Sequence, residues 1–327
     1  MAVIPEQWSH AKRRIRQVWF GRGAQKAKRL VLGQHLNDGL MAKALIYLML
    51  SFIAYLYMQP LLYMVTTMVK PLSDLVDPTI KWIPRHIDWS NMEKAWYGLK
   101  YPEALGNTVF ISLICSVFQV CVCAITGYAL ARLRFYGKNI AFLLIIFSFM
   151  VPPQIIIIPL YTIYSKLGWL NTPLVFLVPA LFAQGLRSAL FIIIFRQFFI
   201  SQPKALEEAA KVDGATGIYL FARIMLPLAL PAALVVFLFS FIWYWNMYYE
   251  PSMFLSKSFT PLSIRLSMLE TVLLGPDMSG TPISASNPIT EGTKMAGAFM
   301  IIAPPLIVYM IAQRWFVESI DRTGLVE

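Results

Sequence analysis

The sequence predicts an all-α polytopic membrane protein with six transmembrane helices and a short cytoplasmic helix between spans four and five. Three observations predict it. The 327-residue chain is 58% hydrophobic and 14% charged, with a mean hydropathy of +0.61, where a soluble domain carries about 45–50% apolar and about 25% charged residues. Crossing about 30 Å of hydrocarbon takes about 20 helical residues, and charge-free stretches of that order recur six times. Lys and Arg are shared unevenly between the segments that join them. The content of Leu, Ile, Val and Phe excludes a disordered chain. The net charge of +11 does not point to nucleic acid, because the excess sits largely in the first 43 residues and in short loops between apolar runs.

Residues 1–43 form a basic cytoplasmic segment, and residues 44–327 the membrane domain. No apolar run follows Lys12–Arg16 closely enough for a signal peptide. Ile15, Val18 and Trp19 share a helical face with arginines around them. An interfacial helix on anionic lipid and a solvated basic tail both fit. The spans cover 44–69, 104–131, 139–165, 167–195 (interrupted only by Arg187), 224–249 and 295–313. Several carry proline, which membrane helices tolerate as kinks where neighbours satisfy the freed carbonyls. Pro152, Pro153 and Pro159 should bend span three. The outward segments 66–107 and 250–294 hold Trp82, Trp89, Trp96, Pro276, Pro282 and Pro288, and have room for a short surface helix or a docking surface.

Six spans place both termini on one side. Eighteen of the 28 Lys and Arg lie on that side and nine on the other, with Arg187 inside span four. Positive charge marks the cytoplasmic face, so both termini are expected in the cytoplasm of a multi-pass cell-membrane protein.

Metal and histidine chemistry find little support. Cys115, Cys121 and Cys123 lie in one apolar run, and Cys121 and Cys123 point about 200° apart on a helix, so they read as packing residues. His10, His35 and His86 are dispersed outside the spans. No metal, cofactor or catalytic residue is expected.

The informative stretch is 203–215. Pro203 suits a first helical turn, and Glu207 and Glu208 follow near the favourable end. Ala209 and Ala210 keep the surface shallow enough for another backbone to approach. Asp213-Gly214 then ends the helix, since glycine accepts the reversed backbone. A plain amphipathic loop helix would account for these features equally well. The spacing goes further: Glu208-Ala209-Ala210, three residues, Gly214, nine residues, Ile224, one residue, Leu226-Pro227. This resembles the EAA signature of ABC importer permeases.

The resemblance extends over roughly residues 44–327. Asn107-Thr108, Gly127 to Arg132, Pro152 to Leu160, Lys166-Leu167-Gly168, Leu170-Asn171-Thr172, Arg196 to Phe199 and Gln313 to Val317 look like the carbohydrate-uptake branch, in its smaller maltose-transporter-type subunit. Three features depart from it: the long basic N-terminus, an apparent insertion at 275–293, and Trp245-Asn246-Met247-Tyr248 where the family often has Trp-Asn-Glu-Phe. The resemblance implies the membrane half of an ATP-driven sugar importer working by alternating access. Its partners would be a second, homologous permease, two cytoplasmic ABC ATPase subunits and an extracytoplasmic solute-binding protein. Glu207, Glu208, Ala209, Ala210, Asp213 and Gly214 would carry the coupling to the ATPase. The sequence has no G-x-x-x-x-G-K-[S/T] phosphate loop, which fits a transport subunit rather than an enzyme.

A secondary transporter would normally keep an ionisable residue at depth, yet no Asp or Glu lies within the charge-free runs. An intramembrane enzyme would need a nucleophile or acid–base constellation there. An ABC permease for another solute, such as amino acids or phosphorylated polyols, is separated from a sugar permease only by the family resemblance. Two features concern the pathway. Arg187, about 13 Å from the cytoplasmic end of span four at 1.5 Å per residue, reads as a pathway residue or as a contact to the partner subunit. Tyr244, Trp245 and Asn246 close span five, either as an interfacial belt or as rings and an amide that contact solute.

Overall fold

The computed structural model describes residues 39–255, 258–269 and 290–324, with side chains through residue 314. The two readings of the N-terminal segment, and nearly all of the 275–293 insertion, lie outside the described residues. Among the described residues the chain is all-helical, with no strand. It divides into two units, Met1–Met64 and Val65–Glu327. The first ends inside α1 (Leu40–Met68), an unbroken 29-residue helix that contains Pro60. At 1.5 Å per residue this helix is about 43 Å long.

The second unit contains α2 (Ser90–Gly98), α3 (Tyr101–Arg132), α4 (Lys138–Met150), α5 (Pro153–Lys166), α6 (Leu174–Leu181), α7 (Ser188–Ser201), α8 (Lys204–Val212), α9 (Leu230–Asn246) and α10 (Glu291–Gly324). Among the described residues, α1, α3 and α10 are each long and apolar enough to cross a bilayer. Three further pairs reach that length only together: α4 with α5, bent by 99°; α7 with α8, bent by 72°; and Gly217–Leu228 with α9, bent by 73°.

The bends follow the prolines. Val151 and Pro152 are extended, with ψ of 119° and 132°, because a residue before proline is pushed out of the α region. Pro153 then opens α5, so span three bends at Pro152-Pro153, whereas Pro159 lies inside the continuous helix α5. In span five the chain runs through a π-turn at Phe221–Met225, which gives the helix a local extra residue before Leu226-Pro227.

Span four departs from expectation. Residues 167–195 do not form one helix. The eight residues of α6 cover only about 12 Å, the helix breaks over 182–187, and α7 starts afresh at Ser188. Ala183 and Arg187 hold positive φ of 56° and 60°, a conformation that costs non-glycine residues about 1–3 kcal/mol each. Apolar composition is the same on both sides of the break, so a hydropathy reading passes straight through it.

The core is organised around α3, which packs chiefly against α7 and α9. Tyr128, Phe191, Phe195, Phe199, Met225 and Val236 meet between them. Gly127 permits the α3–α7 approach: a Cβ there would sit 2.6 Å from Phe195 Cβ and 2.9 Å from the Arg196 backbone nitrogen. Gly127→Val should therefore lower the unfolding temperature of the detergent-purified chain, since overpacking of this kind costs about 1–3 kcal/mol. An unchanged melting curve would mean that α3 and α7 separate freely.

On the opposite side the segment after α1 is knotted to the start of α10. Buried Lys70 donates to the carbonyls of Ile80 (3.2 Å) and Lys81 (2.8 Å). Asn91, on α2, donates to the Lys70 carbonyl at 2.9 Å and accepts from the Thr290 and Thr293 hydroxyls at 3.0 Å each. The 66–107 segment thus holds the short helix for which its length left room, and a polar clamp fixes it.

Candidate functional site

Two places bring the sequence-derived residues together. The first is α8. Gln202 and Pro203 are extended, with ψ of 141° and 132°, and turn the chain out of α7. At the other end Gly214 has φ +80°. Its N–H reaches the Lys211 carbonyl at 3.1 Å, and the Ala215 N–H reaches Ala210 at 2.9 Å, the paired bonds of a glycine-terminated helix. Thr216 then caps the next turn, its hydroxyl accepting from the Tyr219 N–H at 3.4 Å.

The faces of α8 differ from the expected arrangement. Ala210 is not at the open surface; it is buried in the core cluster that holds Tyr128, Phe199 and Leu220. Glu207, three residues earlier and on the same helical face, also points inward. Its Oε1 lies 3.1 Å from Arg132 Nε, with the two side chains 11% and 6% exposed. The contact is charge to charge rather than an aligned hydrogen bond. Arg132 Nη2 also donates to the Gln202 carbonyl. One arginine at the end of α3 therefore grips both the entry to α8 and the helix itself. Glu208, Ala209 and Asp213 are exposed, beside the exposed apolar side chains of Leu206, Val212, Ile218 and Tyr219.

The second place is a cavity of about 370 Å³ between α4, α5, α6, the 182–187 break and the end of α9. Its wall is mainly apolar and aromatic, with Phe149, Tyr164, Phe176 and Phe254, and its polar groups come from Ser148, Gln184, Arg187, Ser188, Tyr244 and Glu250. An apolar enclosure with a few convergent polar groups is the usual form of a small-molecule site. Arg187, exposed at the head of α7, stands 5.3 Å from the centre of the Trp243 ring.

The four pathway residues separate here. Arg187 and Tyr244 line the cavity; Trp245 and Asn246 do not. Trp245 is buried against Phe241, and its indole N–H donates to the Ile301 carbonyl at 3.0 Å. Asn246 is exposed. Adjacent helical residues point about 100° apart, so Tyr244 and Trp245 cannot share one wall. Sequence reasoning missed Glu250 as a cavity residue and Gln119 behind it. Gln119 is a fully buried amide in an apolar helix, and that polarity was the available signal.

Residues 123–322 match the family model described as the binding-protein-dependent transport system inner membrane component. The chain belongs to this family. It is accordingly a permease subunit of an ABC importer, and the matched region holds the 182–187 break, the cavity wall, α8 and α9. The arabinooligosaccharides transport system permease protein AraQ of Halalkalibacterium halodurans is 29% identical over 286 residues, 84% of this chain and 93% of that protein. The osmoprotective compounds uptake permease protein GgtD of Synechocystis is 28% identical, over 84% of this chain and 89% of its own length. The sn-glycerol-3-phosphate transport system permease protein UgpE of Yersinia pestis is 28% identical over 71% of this chain and 79% of its own. Among solved structures, a bacterial ABC transporter involved in the import of the acidic polysaccharide alginate superposes with a TM-score of 0.69. It covers 84% of this chain and 96% of its own at 21% identity, a likeness of fold.

Proposed function

We propose that this permease, in its 44–327 membrane domain, carries oligosaccharides into the cell as one of two homologous membrane subunits. Two cytoplasmic ATPase subunits would drive it and an extracytoplasmic solute-binding protein would supply it. The observation that supports the reading most is the complete EAA spacing on a short helix hung between α7 and α9, in a chain similar over most of its length to an arabinooligosaccharide permease. The six crossings would be α1, α3, the α4–α5 pair, α6 with α7, the Gly217–Leu228 and α9 pair, and α10, with both termini and α8 in the cytoplasm. The exposed face of α8, with Glu208, Ala209 and Asp213, would seat in the ATPase. Glu207 and Ala210 would tie that helix to the membrane domain, with Gly214 setting the return of the chain. The cavity would form part of the solute path, with Arg187 and Tyr244 on its wall.

Reconstitution of the complete complex in proteoliposomes tests this. ATP-dependent uptake of labelled arabinotriose is the expected result, and omitting either the ATPase or the binding protein should abolish it. Uptake of glycerol 3-phosphate in place of the trisaccharide would refute the sugar assignment, and uptake by this chain alone on a proton or sodium gradient would refute the importer.

A further inference from the structure

The break at 182–187 forms one wall of the cavity, and a buried polar node ties it to α3 and α9. Gln119 lies mid-way along α3 and is fully buried. Its Nε2 shares two N–H groups among the Leu186 carbonyl at 2.8 Å, Ser188 Oγ at 3.1 Å and the Tyr244 hydroxyl at 3.2 Å. Its Oε1 accepts from the Ser240 hydroxyl at 2.8 Å. The Tyr244 hydroxyl in turn accepts from the Leu186 N–H at 3.0 Å. Both backbone groups of Leu186 are thus satisfied by side chains of α3 and α9 instead of by a helix. Gly185 closes the fit, because a Cβ there would come within 2.5 Å of Gln119 Nε2 and 2.6 Å of the Tyr244 hydroxyl.

Two facts make this more than core packing. The backbone it holds is strained at Ala183 and Arg187, both at positive φ, and such strain persists only where the surroundings over-determine it. The node is also made of the groups that define the cavity: Gly185, Leu186, Ser188 and Tyr244 all line it, and Arg187 is carried on the same turn. In an apolar interior an unmet amide or peptide group is costly, so the five bonds stand or fall together.

We propose that Gln119 is a positioning residue of the transport path: with Tyr244 it latches the 182–187 break, fixes the cavity wall and aims Arg187. This deepens the proposed role of the cavity, but its test does not depend on the solute. In the complete complex, with Cys121→Ser to remove the exposed thiol, an Ala183→Cys reporter is reacted with a small charged methanethiosulfonate. Gln119→Leu and Tyr244→Phe should each raise the reaction rate at the reporter about fivefold or more, the effect expected when one hydrogen bond's net contribution is lost. The double variant should be no faster than the quicker single one, because the two residues serve one latch. Should Gln119→Leu prevent assembly, Tyr244→Phe, which loses only a hydroxyl, decides by the same readout. An assembled Tyr244→Phe complex whose reporter reacts at the parent rate would overturn the proposal, as would additive rates in the double variant. Unaltered labelling with lost arabinotriose uptake would leave the cavity in the path and remove the latch; raised labelling with unaltered uptake would do the reverse.

Discussion

Arg132→Ala should leave the chain in the membrane yet abolish ATP-driven uptake. The arginine ends α3, the helix around which α7 and α9 pack, and its guanidinium holds both the Gln202 carbonyl and the Glu207 carboxylate. With side chains 6% and 11% exposed, the pair is well screened from water, and removing one partner from such a pair costs about 3–5 kcal/mol, because the other charge is stranded. What is lost is specific. α8 would keep its own hydrogen bonds and its glycine stop, but its fixed angle to α3 would go. A push on α8 would then no longer reach the helix at the centre of the membrane domain. The measurement is the ratio of solute transported to ATP hydrolysed in proteoliposomes, which should fall much further than hydrolysis itself. Glu207→Ala should give the same phenotype, and Arg132→Glu with Glu207→Arg should recover part of the coupling. If the two single variants transport normally, α8 moves independently of α3 and the pair is incidental. If the charge-reversed double variant is no better than either single one, the geometry rather than the attraction is what matters.

The elements most legible in the sequence are those whose causes are local. The α4–α5 bend follows from Pro152 and Pro153, and the end of α8 from Gly214, whose φ of +80° is one that glycine adopts at no steric cost. The EAA spacing is local too, which is why it led to the right family. The break in span four is not local. Its apolar residues satisfy a hydropathy count, and the bonds that hold the break come from Gln119 and Tyr244, 67 and 58 positions away from Leu186. The same limit applies to α8. Periodicity puts Glu207 and Ala210 on one face and Glu208 and Ala209 elsewhere, but which face turns inward is set by Arg132, far upstream in sequence. Reading Ala209 and Ala210 as one shallow surface overlooked that a short helix tied to its own protein must spend one face on it. Tyr244, Trp245 and Asn246 were grouped by their closeness in sequence, whereas a helix scatters neighbours around its axis.

Ala209→Trp should dissociate the ATPase while leaving the permease folded. Ala209 and Glu208 are exposed on α8, next to the exposed Leu206 and Val212, and together they offer a shallow apolar surface with one acceptor beside it. An indole at Ala209 would hold a partner's backbone several ångströms away and cost both the burial and the Glu208 contact. Truncating one member of a buried interfacial charge pair alone costs about 2–5 kcal/mol. The predicted outcome in detergent is a permease pair that elutes without its ATPase subunits, with an unchanged melting temperature because the new ring points away from the core. Ala210 gives the contrast: it is buried in the core cluster with Tyr128 and Phe199, so Ala210→Trp should damage folding rather than docking. Cysteines at Ala205 and Val212, both exposed, should crosslink to the ATPase, and a cysteine at Ala210 should not. A complex that carries Ala209→Trp, retains its ATPase and still transports would mean that this face of α8 meets no partner, and the docking surface would have to lie on another cytoplasmic segment.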